Sequence, residues 1–132
     1  MSTMRHHASP IAKSFSEALR IGTEAGNWIF VSGQVGVAIP PNNEPVSFEQ
    51  EVRVTFHRIG ESLRKLGADM ENVVSIKVYL TDLGPYAEFS KIRGEVFPRN
   101  PPTSTAVQVV GLLLGARIEI DAVALITQGE TR

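Results

Sequence analysis

No cysteine occurs among the 132 residues of this chain. This absence excludes disulfide bonds, thiolate nucleophiles and cysteine-ligated metal sites. Charge of one sign is also scarce, because 13 basic residues nearly balance 14 acidic ones and leave a net charge of -1. Proteins that bind nucleic acid usually carry a basic excess or stripe, so we expect no nucleic-acid partner.

Long apolar runs are missing as well. The longest, at residues 109–116, falls well short of the roughly 20 residues that a membrane-spanning helix needs. The first residues, MSTMRHHASPIAKSF, lack the apolar segment of a secretory signal. We therefore predict a cytoplasmic protein without a membrane partner.

The composition is that of an ordinary globular protein, with 42% hydrophobic and 20% charged residues. Neither an internal repeat nor a shift in composition marks a boundary. We predict a single domain over residues 1–132, with residues 1–10 forming a loose N-terminal arm.

Alternating apolar residues predict five strands, over residues 16–22, 27–33, 73–81, 103–110 and 117–127. Apolar side chains at spacings of three and four predict a helix from Phe48 to Leu66, with Ser47 as its N-cap and Gly67 ending it. A second helix begins at Pro85. Prolines and paired asparagines predict a loop at residues 37–47.

Two helices cannot cover both faces of a sheet this wide, so we expect an α+β fold with a mixed sheet and both helices on one face. Along the last predicted strand, the isoleucines would face the helices. Glu119 and Asp121 would lie on the other face, which begins charged and ends apolar. Such a face suits an oligomer interface that contains a polar pocket.

Four stretches, in order along nearly the whole chain, resemble the RidA (YjgF, or L-PSP endoribonuclease-like) family: FVSGQVGV, VVSIKVYLTDLGPYAEFSKIRGEVF, PPTSTAVQV and RIEIDAVALI. The resemblance implies a chorismate-mutase-like α+β fold that assembles as a barrel-like homotrimer. It also implies a pocket for a small-molecule ligand at each of three subunit interfaces.

Active members of that family hydrolyse reactive enamines and imines, such as 2-aminoacrylate, to keto acids and ammonia. The resemblance therefore implies a hydrolase similar to the 2-iminobutanoate/2-iminopropanoate deaminases, working without a cofactor. We also expect no metal, because His6, His7 and His57 lack the spacing of a metal site.

The resemblance assigns most of the candidate site. Glu119 matches the acid proposed to orient the attacking water, and we name it as the catalytic candidate. Ser32 and Gly33 match a Ser-Gly pair that lines the pocket. Ala106 falls where relatives supply a backbone amide. Asp121 could form an acid pair with Glu119, although both could instead be solvated surface carboxylates.

Two further candidates for substrate binding depart from the family pattern. Phe15 stands where relatives usually have tyrosine, and Ser104 stands where active relatives have an arginine that holds the substrate carboxylate. A guanidinium binds a carboxylate through two hydrogen bonds, so its loss would cost on the order of 2–5 kcal/mol. Arg20 and Arg117 are candidates to replace it.

Three functions stay open. The first is an enamine/imine deaminase-like hydrolase with altered substrate choice. The second is a non-catalytic small-molecule-binding or regulatory trimer of the same fold, which the missing arginine favours. The third is a ribonuclease, against which the net charge of -1 argues.

Overall fold

The computed structural model describes residues 3–37 and 46–127. Six strands form one sheet in the order β1-β2-β3-β6-β4-β5. Their bounds are β1 Thr3–Ala8, β2 Ser16–Thr23, β3 Gly26–Val35, β4 Val73–Leu80, β5 Thr103–Gln108 and β6 Ile118–Thr127. Neighbouring strands are antiparallel except β4 and β5, which are parallel.

Within the described ranges, two α-helices accompany the sheet, α1 (Phe48–Lys65) and α2 (Tyr86–Val96). The predicted start of α1 is confirmed, because Ser47 Oγ accepts a hydrogen bond from the Gln50 backbone N–H at 3.1 Å. Its predicted end is confirmed at Gly67, whose φ of 87° suits glycine. Among the described residues, no helix is long and apolar enough to cross a membrane.

The core lies between the sheet and both helices, which pack on the same face. On β6 the predicted alternation is confirmed, since every second side chain from Ile118 to Ile126 is buried. Phe56 of α1 and Phe89 of α2 meet over this face with ring centroids 6.2 Å apart. The predicted α+β fold, with a mixed sheet covered on one face, is therefore confirmed.

The N-terminal arm predicted for residues 1–10 is wrong over Thr3–Ala8. These residues form β1, an edge strand that pairs antiparallel with β2 from Thr3 opposite Gly22 to Ala8 opposite Ser16. Most of its side chains are exposed, so backbone hydrogen bonds rather than burial define it. The loop predicted at residues 37–47 lies largely outside the described residues, which omit 38–45.

On the other face of the sheet, no helix is formed by the residues that the structure describes. Four apolar side chains expose between 36% and 61% of their surface there: Met4, Trp28, Phe30 and Val107. The connection after β5 also presents Val110, Leu113 and Leu114 to solvent. The predicted outer face, apolar at one end, is therefore present in the single chain.

An ion pair with a buried carboxylate joins α1 to the start of β6. Glu51 is 1% exposed. Its carboxylate accepts the Arg117 backbone N–H and the Arg117 Nε–H, both at 2.7 Å. Because Arg117 directly precedes β6, this pair fixes where the strand begins.

Candidate functional site

Glu119 is the second residue of β6 and lies on the face away from the helices. Its neighbours in register are Val35 of β3 and Tyr79 of β4. The side chain is partly buried. Its carboxylate has neither a hydrogen bond nor an ion pair with any residue in ranges 3–37 and 46–127.

A β-bulge in β3 makes room for this carboxylate. Pairing with β6 runs from Val31 opposite Ala122 to Gln34 opposite Ile120, so two residues of β3 stand against one of β6. The second of the two is Gly33. A Cβ added there would lie 2.5 Å from Glu119 Oε2, so only glycine leaves the carboxylate in its present position.

Burial raises the pKa of Glu119 above its ordinary value of 4.5, and the nearby charge of Asp121 raises it further. Both effects disfavour the ionised form. A carboxylate with a raised pKa is a stronger base than an ordinary carboxylate. Glu119 can therefore accept a proton from water.

Tyr79 is a residue that sequence reasoning missed. Its hydroxyl donates a hydrogen bond to Asp121 Oδ2 at 3.1 Å. Burial raises the pKa of Tyr79, and the charge of Asp121 adds to the shift, so the phenol stays a donor. Asp121 is thus held by Tyr79, and its effect on Glu119 is that of a nearby negative charge. The alternation of β4 placed Tyr79 on the outer face and was the available signal.

Phe15 and Gly33 share a cleft of about 340 Å³, which Arg58 and Leu114 also line. Phe15 is 46% exposed and presents its ring to this space. Ser32 is less available, because its hydroxyl donates to the Ser16 carbonyl at 2.7 Å. Gly33 therefore borders both this cleft and the Glu119 carboxylate, and we refer to Phe15, Gly33 and Glu119 as the acid cluster.

Ser104 and Ala106 lie elsewhere. They are on β5, opposite Ile76 and Val78 of β4, whose side chains are buried beneath the helices. Ser104 is thus on the opposite face of the sheet from Glu119. The two are two strands apart, roughly 10 Å, and three residues apart along the strands, roughly another 10 Å. One chain does not place these candidates in one pocket.

Neither cation suggested by the sequence lies beside Ser104. Arg20 donates from Nη1 to the Leu66 carbonyl at 2.6 Å, at the end of α1. Arg117 is paired with the buried Glu51. Each guanidinium is used by a contact that holds α1 against the sheet, and the role of either as an anion anchor stays a prediction.

Arg93 of α2 is the cation that does reach Ser104. Its Nη1 donates to Ser104 Oγ at 3.0 Å and to Tyr86 Oη at 3.1 Å, and its Nη2 donates to Ser90 Oγ at 3.0 Å. Arg93 and Ser104 are eleven residues apart, on a helix and a strand, so no local motif joins them. We refer to Arg93, Ser104, Tyr86 and Ser90 as the arginine cluster.

Comparison with known sequences agrees with this architecture. A family model described as Endoribonuclease L-PSP matches residues 6–126. The human 2-iminobutanoate/2-iminopropanoate deaminase is 36% identical over 99 residues, which cover 74% of this chain and 72% of that protein. Protein MMF1 of Saccharomyces cerevisiae is 29% identical over 120 residues, covering 89% and 79% of the two chains. It is named as mitochondrial, and the cytoplasmic location of the present chain stays a prediction.

Comparison with solved structures gives the same result. The crystal structure of yeast Mmf1 superposes with a TM-score of 0.79 at 27% identity, covering 93% of this chain and 98% of that one. The structure of RidA from an Antarctic Psychrobacter superposes with a TM-score of 0.75 at 26% identity, covering 92% and 94%. The whole described fold is therefore shared with these proteins.

Proposed function

Because the chain belongs to the Endoribonuclease L-PSP family, also known as the RidA/YjgF family, we propose that it hydrolyses reactive enamines and imines to carbonyl compounds and ammonia. The observation that carries this proposal is the Glu119 carboxylate. It is partly buried beneath Gly33, its pKa is raised, and it lacks a neutralising partner among the described residues. A human relative named as a 2-imino acid deaminase supports the same reaction class.

In the proposed reaction, an enamine first takes its imine form, and water then adds to the carbon of the C=N bond. Glu119 accepts a proton from that water as the new C–O bond forms. That proton passes to the nitrogen and gives a carbinolamine. Glu119 then takes the hydroxyl proton and returns it to the nitrogen as the C–N bond breaks, so that ammonia leaves and the carbonyl forms. Water supplies the oxygen, no electrons are exchanged, and Glu119 returns to its starting state.

We propose that three copies of the chain assemble around these sites. The acid cluster and Ser104 lie on different faces of one sheet, so one pocket containing both needs two chains. The outer face of the sheet and the connection carrying Val110, Leu113 and Leu114 expose apolar side chains that a neighbouring copy would cover. Sedimentation velocity tests this assembly, and a monomer at assay concentrations would contradict it.

The activity is tested by generating imines in place with an amino acid oxidase or a threonine dehydratase and trapping the keto acid. We expect the chain to accelerate release above background. Glu119→Gln should reduce this acceleration about 100-fold or more, because it removes the proton acceptor.

Glu24→Gln is the matched control, since Glu24 is exposed in the turn between β2 and β3. It should keep full activity. Absence of acceleration across several amino acids, or equal activity of Glu119→Gln and wild type, would refute the proposed hydrolysis.

A second candidate is a non-catalytic binder of small molecules. The observation in its favour is that Phe15 and Ser104 stand where the family resemblance expects tyrosine and arginine. Ligand-dependent stabilisation without turnover identifies it. A ligand at 100 times its Kd would stabilise the fold by about 2.7 kcal/mol.

A further inference from the structure

Glu17, the second residue of β2, is a carboxylate in the wall of the cleft that Phe15 and Gly33 share. Its Oε2 lies 2.8 Å from Nε2 of His7 on β1. Only 17% of the Glu17 side chain and 27% of the His7 side chain are exposed. The pair therefore borders the candidate site, and the reaction steps proposed above do not use it.

A second histidine–glutamate pair in the described part of the chain shows the contrast. His57 and Glu61 lie one turn apart on α1 with a nitrogen–oxygen distance of 3.5 Å, and more than half of each side chain is exposed. Exposed pairs of this kind contribute little. The contact of Glu17 is shorter, joins two strands and is shielded from bulk water, so it holds the carboxylate in one position.

One oxygen of Glu17 stays available to a ligand. The contact with His7 occupies Oε2, whereas Oε1 has neither a hydrogen-bond nor an ion-pair partner in ranges 3–37 and 46–127. An ionised carboxylate accepts hydrogen bonds and donates none. The group that fits Oε1 is therefore an N–H or O–H donor, and a positively charged nitrogen forms the strongest such bond.

The cleft links this oxygen to the proposed chemistry. Its volume of about 340 Å³ suits a small molecule, and Gly33 in its lining adjoins the Glu119 carboxylate. In the hydrolysis proposed above, the nitrogen gains protons before it leaves as ammonia. A negative oxygen beside that nitrogen would stabilise the positive charge that develops on it.

We propose that Glu17 binds the nitrogen of the substrate, with His7 as the positioning residue that holds the carboxylate. This inference rests on the proposed function and names the group that receives the leaving nitrogen. Oε1 accepts an N–H of the imine, and the contact strengthens as the nitrogen becomes protonated. The cleft therefore selects planar nitrogen cations over neutral groups of the same shape.

Arg58 also lines the cleft, and its charge opposes a cation there. Its Nη1 donates to the carbonyls of Val35 and Val37. Those bonds connect α1 to the end of β3, whereas Glu17 lies near the start of β2, two residues after Phe15. Among the described residues that line the cleft, Glu17 is thus the partner for a nitrogen cation.

The test measures binding and does not depend on turnover. Acetamidinium is a stable planar cation that resembles a protonated imine, and acetamide is its neutral counterpart of the same shape. Each is titrated into the full chain and followed by heteronuclear NMR, which detects weak binding and shows whether a variant is folded. We expect Glu17→Gln to weaken acetamidinium binding ~10-fold, as loss of a hydrogen bond between charged groups does. Acetamide binding should stay nearly unchanged.

Matched variants separate charge from structure. Glu17→Gln keeps an oxygen that can accept a hydrogen bond from His7, so the contact between β1 and β2 is retained. Glu61→Gln makes the same change in the exposed pair and should leave acetamidinium binding as in wild type.

Two variants of His7 test its role as the positioning residue. His7→Ala frees the Glu17 side chain and should weaken acetamidinium binding about threefold, as loss of one hydrogen bond does. His7→Gln supplies another N–H donor and should restore most of the affinity. Equal binding by His7→Ala and wild type would remove His7 from the proposal.

Turnover of imines generated in place is the second measurement, and Glu17→Gln should lower kcat/KM about tenfold. Unchanged acetamidinium binding in a folded Glu17→Gln, equal binding of acetamidinium and acetamide by wild type, or no acetamidinium binding to wild type would overturn the role of Glu17. Turnover insensitive to Glu17→Gln would also overturn it and leave the hydrolysis intact. Charge-selective binding that depends on Glu17, without turnover, would keep the nitrogen site and refute the hydrolysis.

Discussion

Glu51 and Glu119 are both carboxylates removed from bulk water, but they stand in opposite surroundings. Glu51 lies between α1 and β6 and has two hydrogen bonds from Arg117, each of 2.7 Å. Glu119 lies on the uncovered face of the same sheet without a cationic partner among the described residues. The arginines divide in the same way, because Arg117 pairs with a carboxylate, whereas the hydrogen bonds of Arg93 within the described residues go to hydroxyls.

The difference separates charges that hold the fold from charges that are free to meet a ligand. Removing one partner of a buried, hydrogen-bonded ion pair strongly destabilises the fold. Such a pair takes no part in a reaction. A partly buried charge without a partner costs stability and is retained where it serves a site. Substitutions at the paired charges should therefore change stability, and substitutions at the unpaired charges should change activity.

The largest effect should come from breaking the ion pair between Glu51 and Arg117. Arg117→Met keeps the apolar part of the side chain over Phe48 but leaves the carboxylate of Glu51 buried without its side-chain cation. We expect a loss of about 3 kcal/mol in the free energy of unfolding, the low end for a broken buried pair, because Arg117 is itself 44% exposed. Chemical denaturation measures it.

Arg53→Met is the control for that experiment. Arg53 bonds Glu49 and Glu95, but all three side chains are about half exposed, so the loss should stay below about 1 kcal/mol. Equal losses in the two variants would show that burial of Glu51 does not distinguish the pairs.

The next largest effect should come from a substitution beside the unpaired Glu119. Gly33→Ala places a Cβ against the Glu119 carboxylate, which must turn away. We expect kcat/KM to fall about tenfold, because a small displacement of a reacting group is costly. Stability should change little, since the obstructing atoms end a flexible side chain.

Gly111→Ala controls for the added methyl group, because a Cβ there meets nothing within 4 Å. It should leave kcat/KM unchanged. If Gly33→Ala instead unfolds the protein while keeping kcat/KM per folded molecule, the glycine serves the fold and not the position of Glu119.

A smaller effect should appear in the pH dependence of stability. The pKa of Glu119 is raised in the folded chain, so folding favours its protonated form. The resulting stability is present below the unfolded pKa and is lost as pH rises through the folded pKa. The Glu119→Gln variant has no carboxylate to ionise at this position, so its stability does not fall in this way as pH rises. We therefore expect the variant to be more stable than wild type at pH 7, with a difference that shrinks towards pH 4.

Thermal unfolding of both proteins across this pH range measures the difference, and Glu24→Gln provides the exposed reference. Acid unfolding through other carboxylates affects all three proteins alike. A Glu119→Gln variant less stable than wild type at pH 7 would mean that the carboxylate has a stabilising partner in solution.

The smallest expected effect belongs to Ser104→Ala. It removes one of three hydroxyls around Arg93 and leaves the guanidinium in place. We expect a loss of about 1 kcal/mol or less in the free energy of unfolding, because Ser104 is exposed and water can replace its hydroxyl at the guanidinium. Chemical denaturation measures this, and a loss as large as that of Arg117→Met would mean that Ser104 is more important to the fold than its exposure indicates.

Much of the fold followed from the sequence because its signals are local. The alternation in β6 and the apolar spacing in α1 each report directly which face is buried. The segment Thr3–Ala8 gave no such signal, because Arg5, His6 and His7 interrupt any apolar alternation. An edge strand held by backbone bonds to one neighbour leaves little trace in its side chains.

The candidate site was predictable only in part. Family motifs placed Glu119 and Gly33, and the structure brings them into contact. Arg93 was missed because its contact with Ser104 depends on how α2 packs on β5. A charged residue four positions after Phe89 and seven after Tyr86 shares a helical row with those rings, and that placement was the available clue.

The bulge in β3 also determines which residue follows the strand beneath α1. Deleting Ser32 would advance every later residue of the strand by one place and bring Val37 to the position of Gly36. A Cβ at that position would collide with the Glu51 carbonyl of α1. The single extra residue that leaves room for the Glu119 carboxylate thus also places a glycine under the helix. Any homologue that shortens β3 there must change both faces of the sheet at once.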